Sequence, residues 1–160
     1  MITIRKSKFK DLPKISKLVL GQFVKEINSH IKELEGSKET SPSKFIEDYI
    51  WRAEERIPSI IYVAEKDGEL IGVAGGSISE HHWGNSLWGN EDFWFIKKEH
   101  RKGKTGLKLF NMLMKWFKDN GATRICMTHY SWNPKVGDFY QKKGFKPYEV
   151  NYVKEVANGS

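Results

Sequence analysis

Three groups of residues in this sequence have the chemistry to hold an anion or move a proton. The first is a basic turn, Arg101-Lys102-Gly103-Lys104-Thr105-Gly106, set between the strand-like run "DFWFIKK" and an apolar-faced helix pattern. A helix start presents backbone N–H groups without intrahelical partners at the positive end of the dipole, so anions bind there. Gly103 and Gly106 let a ligand come close to the backbone. The second group is Glu91 and Asp92, adjacent carboxylates that open the same strand, with His129 late on the next one. Such groups exchange protons usefully when they titrate near the working pH. The third is Tyr140, on a short helix headed by Asn133. Each also has an ordinary reading: a solvated turn, strand-opening carboxylates, a packed histidine, an anchoring tyrosine and a helix N-cap.

The elements that must position these groups follow from periodicity and punctuation. "MITIRKS" reads as a short strand, and Asp11 or Pro13 opens a helix with Ile15, Leu18, Val19, Phe23 and Ile27 at helical spacing. A polar loop is expected over 35–43, then a helix capped by Ser41 with Pro42 at its first position. Two strand patterns flank Asp67-Gly68, a hairpin signal, and Gly72, Gly75 and Gly76 point to a bulge or close backbone packing. A strand over 92–97, the turn, a helix ended by Gly121, a strand over 123–130 and a short helix ended by Gly144 follow. "KPYEVNYVKEV" reads as a last strand, with residues 157–160 as a frayed tail. The order β-α-α-β-β-β-α-β-α-β predicts an α/β fold, a mixed sheet with helices on its faces.

At 160 residues the chain is expected to form a single domain over 1–156. One cysteine excludes an internal disulfide and suits a cytoplasmic setting. No apolar run is long enough for a membrane helix, and the first residues lack a secretory core. The net charge of +7 is spread along the chain apart from the cluster at 97–104, which argues against a nucleic-acid-binding module. His81 and His82 are adjacent, point to opposite faces of an extended chain and make a poor chelating pair, so no metal site is expected. Trp83, Trp88, Phe93, Trp94 and Trp132 offer rings for an apolar or cation-binding wall, though many must serve the core.

The segment "FIKKEHRKGKTGLKLFNMLMKWFKDNGATRICM" followed by "NPKVGDFYQKKGF" resembles the GCN5-related N-acetyltransferase (GNAT) superfamily. That superfamily carries Q/R-x-x-G-x-G/A at this turn, read here as Arg101-x-x-Lys104-x-Gly106. It also carries N-x-x-A-x-x-x-Y-x-x-x-G-F, read here as Asn133-x-x-Val136-x-x-x-Tyr140-x-x-x-Gly144-Phe145 with every spacing kept. The resemblance is clearest over 91–146. "RKGKTGLKL" and the closing "YEVNYVK" look like a subgroup found in phage genomes. One position departs from the pattern: Lys104 stands where the first glycine is usual.

The resemblance implies a GNAT-like, mostly antiparallel twisted sheet with two splayed central parallel strands. It also implies acetyl-CoA as co-substrate. The turn from Arg101 through Lys102, Gly103, Lys104 and Thr105 to Gly106 would hold the pyrophosphate, Trp94, Phe95 and Ile96 would pair with the pantetheine, and Asn133 could contact the cofactor. Tyr140 would be the general acid, with Glu91 or Asp92 as base. The acceptor would be an amine on a small molecule or a protein, attacked directly in a ternary complex. A non-catalytic protein that binds CoA or a partner is the competing class, and a homodimer is compatible with the resemblance.

Overall fold

The computed structural model describes residues 1–31, 33 and 41–156. Five strands form one sheet in sequence order: β1 (Ile2–Lys6), β2 (Ser59–Lys66), β3 (Glu69–Glu80), β4 (Leu87–Ile96) and β5 (Arg124–Cys126). Neighbours are antiparallel except β4 and β5, which run parallel. The β2–β3 hairpin turns at Asp67 and Gly68, both at positive φ (51° and 80°), as a tight turn matched to strand twist requires.

Helix α1 (Leu12–Leu18) continues through a wide π-helical turn, Val19–Phe23, into α2 (Val24–Asn28). The sequence pattern had suggested one unbroken helix. Helix α3 (Pro42–Glu54) starts as its sequence requires: Ser41 Oγ accepts the Lys44 N–H at 3.2 Å and Pro42 takes the first position. Helices α4 (Thr105–Asp119) and α5 (Pro134–Lys142) follow the strands they were expected to follow. The polar loop expected over 35–43 lies largely outside the described residues, as does the tail at 157–160.

The sheet is packed on both faces. Ile15, Leu18, Val63, Val73, Phe93 and Phe95 form one core, with Phe45, Ile46 and Tyr49 of α3 against it. Ile71, Ala74, Ile96, Leu109, Leu113 and Phe117 form the other, under α4. Helix α4 sits directly on the strands: a Cβ added to Gly76 or Gly89 would lie 2.5 Å from the Phe117 ring.

Two irregularities position the site. Gly76 pairs with Glu91 and Gly75 with Phe93, which leaves Asp92 as an extra residue in β4. Such a bulge bends a strand and interrupts its alternation of faces. The β4–β5 ladder stops at Asn90 and Cys126, and beyond it the strands part. β5 is short because the backbone beyond it meets side chains instead of a ladder: Thr128 N–H points to Glu91 and the Thr128 carbonyl accepts from Tyr140.

The expected last strand does not form. Residues 146–156 carry the alternating pattern, but Tyr148, Val150 and Tyr152 are 56%, 76% and 93% exposed, so the pattern has no apolar surface to cover. The parallel pair therefore stands at one edge of the sheet.

Candidate active site

A cavity of about 380 Å³ opens where β4 and β5 part. It is lined by Glu91, Trp94, Phe95 and Ile96 of β4, by Arg101, Gly103 and Gly106, by Thr128 to Tyr130, and by Asn133, Val136 and Tyr140. Two stretches of the chain, 91–106 and 128–140, thus meet at one gap.

The bulge decides which carboxylate enters it. Glu91 Oε2 reaches across the gap toward the Thr128 N–H (3.4 Å) and accepts from the Tyr140 hydroxyl (3.3 Å). Burial pushes the Glu91 carboxyl up to about 7; the Thr128 and Tyr140 hydrogen bonds oppose this, and the charge of Asp92 adds to it. Asp92 is not brought into the cavity. It faces α3, where it accepts from Arg52 Nη1 at 2.6 Å and from the Tyr49 hydroxyl at 2.9 Å. Arg52 is held in turn by Asp48 at 2.9 Å.

Tyr140 is buried, its hydroxyl donating to the Thr128 carbonyl at 3.1 Å as well as to Glu91. Burial first, then the negative charge of Glu91, pushes its phenol well above the usual range, so it is fully protonated at neutral pH. Trp94, Phe110, Phe139 and Phe145 surround its ring at centroid distances of 6.1, 6.3, 5.9 and 5.6 Å. Trp94 also donates from Nε1 to the Gly106 carbonyl at 3.1 Å, tying β4 to the first turn of α4.

The basic turn presents its backbone. Among the described residues, no N–H from Lys102 to Leu107 donates to a backbone acceptor. These amides crowd the N-terminus of a 15-residue helix. A Cβ at Gly103 would meet nothing within 4 Å and one at Gly106 nothing closer than 3.5 Å, so space is left around them. Lys104 has φ −88°, a conformation any residue adopts, so this position does not require glycine. Its side chain lines a separate open groove with Ile2, Ile4 and Lys108, away from the cavity. Lys102 is exposed in the turn, and Thr105 is buried at the helix start.

Asn133 heads α5 without a side-chain cap bond and lines the cavity. His129 also lines it; its Nδ1 lies 2.9 Å from the Tyr130 carbonyl oxygen, and its ring is so close to Gly137 that a Cβ there would lie 2.6 Å from Nε2. Trp94 and Trp132 line the cavity, Phe93 is core, and Trp88 stacks on His81 elsewhere on the surface. Among the described residues no group of three His, Cys, Asp or Glu could hold a metal, and no helix is long and apolar enough to cross a membrane.

Sequence reasoning missed part of the cavity wall. Phe23, Glu26 and Ile27 line the cavity from the π turn and α2, and Tyr130 stacks on Trp132 at 4.9 Å. Nothing in a helical pattern distinguishes Glu26 from other polar-face residues. The π turn that precedes its helix, invisible to a 3.6-residue period, shifts the phase of the residues that follow.

A profile of the Acetyltransferase (GNAT) family matches residues 24–145, most of the chain. The chain belongs to the GNAT acetyltransferase family. Membership gives acetyl transfer as its general activity, and the cleft lies within the matched segment except for Phe23. Among solved structures, a predicted acetyltransferase of Clostridium acetobutylicum with acetyl-CoA superposes with a TM-score of 0.75 at 16% identity, covering 96% of each chain. A putative acetyl transferase of Pyrococcus furiosus gives 0.72 at 19% identity, covering 98% of this chain and 100% of its own. Glucosamine-6-phosphate N-acetyltransferase of Arabidopsis thaliana gives 0.68 at 16%, covering 96% and 97%. At these identities the likeness is one of fold. No curated protein matches the sequence.

Proposed function

We propose that this GNAT protein transfers an acetyl group from acetyl-CoA to an amine by direct attack in a ternary complex. The observation that carries the reading is the Glu91–Tyr140 pair in the gap between β4 and β5, beside the unpartnered amides of 102–107. The donor set fits the cofactor: backbone N–H groups and a helix start suit a diphosphate, and the unpaired edge of β4 over Trp94–Ile96 suits an amide-bearing arm. Arg101 and Asn133 also line the cavity. When bound, acetyl-CoA supplies an activated acyl thioester.

The residues of the chain then divide the proton work. An amine is protonated at neutral pH and attacks only after losing a proton. Glu91, raised to about 7, takes a proton efficiently at that pH, directly or through one water. Tyr140, held protonated, gives its proton to the departing sulfur. The unpaired β4 edge supplies N–H groups to the oxygen that gains charge during attack. Holding amine and thioester together supplies proximity, so no covalent enzyme intermediate is required. Asp92 has no part in this scheme: its carboxylate lies on the α3 side, bonded to Arg52 and Tyr49.

Thermal-shift measurements with acetyl-CoA and CoA, followed by thiol release against a panel of amines, test the reading. Stabilisation by both and amine-dependent thiol release are expected. No shift at millimolar concentrations of either would overturn it.

A further inference from the structure

We propose that Glu26, which belongs to no motif, sets the affinity of the cleft for the cofactor's diphosphate by occupying the Arg101 fork until a phosphate displaces it. The proposal rests on the acetyl-CoA reading above. Arg101 is engaged at all three guanidinium nitrogens. Its Nε donates to the Ile96 carbonyl at 2.8 Å, and its plane lies over the Phe95 ring at 5.3 Å. The remaining prongs, Nη1 and Nη2, donate to Glu26 Oε1 and Oε2 at 2.9 and 2.6 Å. This two-pronged contact is the one a guanidinium makes to carboxylate and phosphate alike.

Three features make the carboxylate exchangeable. The pair lines the cleft and is open to water: the Arg101 and Glu26 side chains are 38% and 40% exposed, against 19% and 18% for Arg52 and Asp92. Exposed pairs contribute little, whereas a phosphate would gain the free amides of 102–107 at the same time. Glu26 is carried by α2, which has no fully buried residue and joins α1 through the π turn, where Gly21 has open space around it. The Ile96 and Phe95 contacts keep the guanidinium in place when Glu26 withdraws. Glu26 is thus a positioning residue acting through Arg101.

Calorimetric titration of the full chain with CoA, and separately with phosphate-free pantetheine, tests this in wild type, Glu26→Gln, Arg101→Lys and the double variant. Glu26→Gln should tighten CoA by about two- to fivefold, the scale of an exposed ion pair, and leave pantetheine unchanged. On the Arg101→Lys background, which lacks the fork, that gain should vanish. In steady state the KM for acetyl-CoA should fall with kcat unchanged. Should Glu26→Gln unfold, Glu26→Asp, too short for the two-pronged contact, should shift CoA the same way. Unchanged or weaker CoA binding by the folded variant, or equal tightening of pantetheine, would overturn the proposal and leave the acetyl-CoA reading standing. Failure of the wild type to bind CoA would remove both.

Discussion

Glu91 and Asp92 are neighbours of nearly the same chemistry, yet the fold gives them opposite surroundings. Asp92 meets a guanidinium and a phenol on the α3 side of the sheet. Glu91 meets only neutral donors in the gap between the parallel strands, where burial raises its pKa to about 7. One extra residue in β4 separates these environments. A carboxylate becomes a base for neutral pH where charge is poorly compensated and a structural anchor where it is fully paired.

The largest expected effect breaks the comparison at Glu91. Glu91→Gln should lower kcat by about 10²- to 10⁴-fold, the range of general-base loss. In the wild type, kcat/KM should rise with pH toward a plateau above about 7, and the variant should lose that limb. Tyr140→Phe comes next: kcat should fall by roughly 10²-fold with CoA affinity nearly unchanged, measured by titration beside turnover.

Stability should divide the two carboxylates in the opposite sense. The folded pKa of Glu91 exceeds its unfolded value, so its contribution to stability is full below about 4.5 and is lost as pH rises through about 7. Glu91→Gln should therefore unfold later than wild type at pH 8, by about 3 kcal/mol, and nearly together with it at pH 4. Asp92→Asn should instead lower stability by about 1–2 kcal/mol in denaturant unfolding at pH 7, because Arg52 loses its half-buried partner.

The smallest effect concerns the turn. Lys104→Gly should change CoA affinity by less than about threefold, since a side chain at that position already clears the cleft and its backbone is unstrained.

Much of this was legible in the sequence. The hairpin at Asp67-Gly68, the Ser41 cap and the glycine stops at Gly121 and Gly144 are local signals, and the structure repeats them because backbone geometry leaves few alternatives. Tyr140, Gly106 and Asn133 are singled out by the resemblance of their two motifs to the GNAT superfamily, and all three line the cavity. What spacing could not show is where a strand changes face. Gly75 and Gly76 hinted at an irregularity, but separating Glu91 from Asp92 required the register of β3 against β4. Glu26 was hidden by a π turn, and the terminal segment misled because alternation marks a strand only where there is a surface to bury.

The central claim, that the bulge and the gap make Glu91 a base poised for neutral pH, can be read without knowing the acceptor. Carbon-13 NMR of the glutamate side-chain carboxyls, with the Glu91 signal assigned by its absence in Glu91→Gln, follows this one titration from pH 3 to 9. The account predicts a midpoint of about 7. A midpoint at the ordinary value of 4.5 would contradict it.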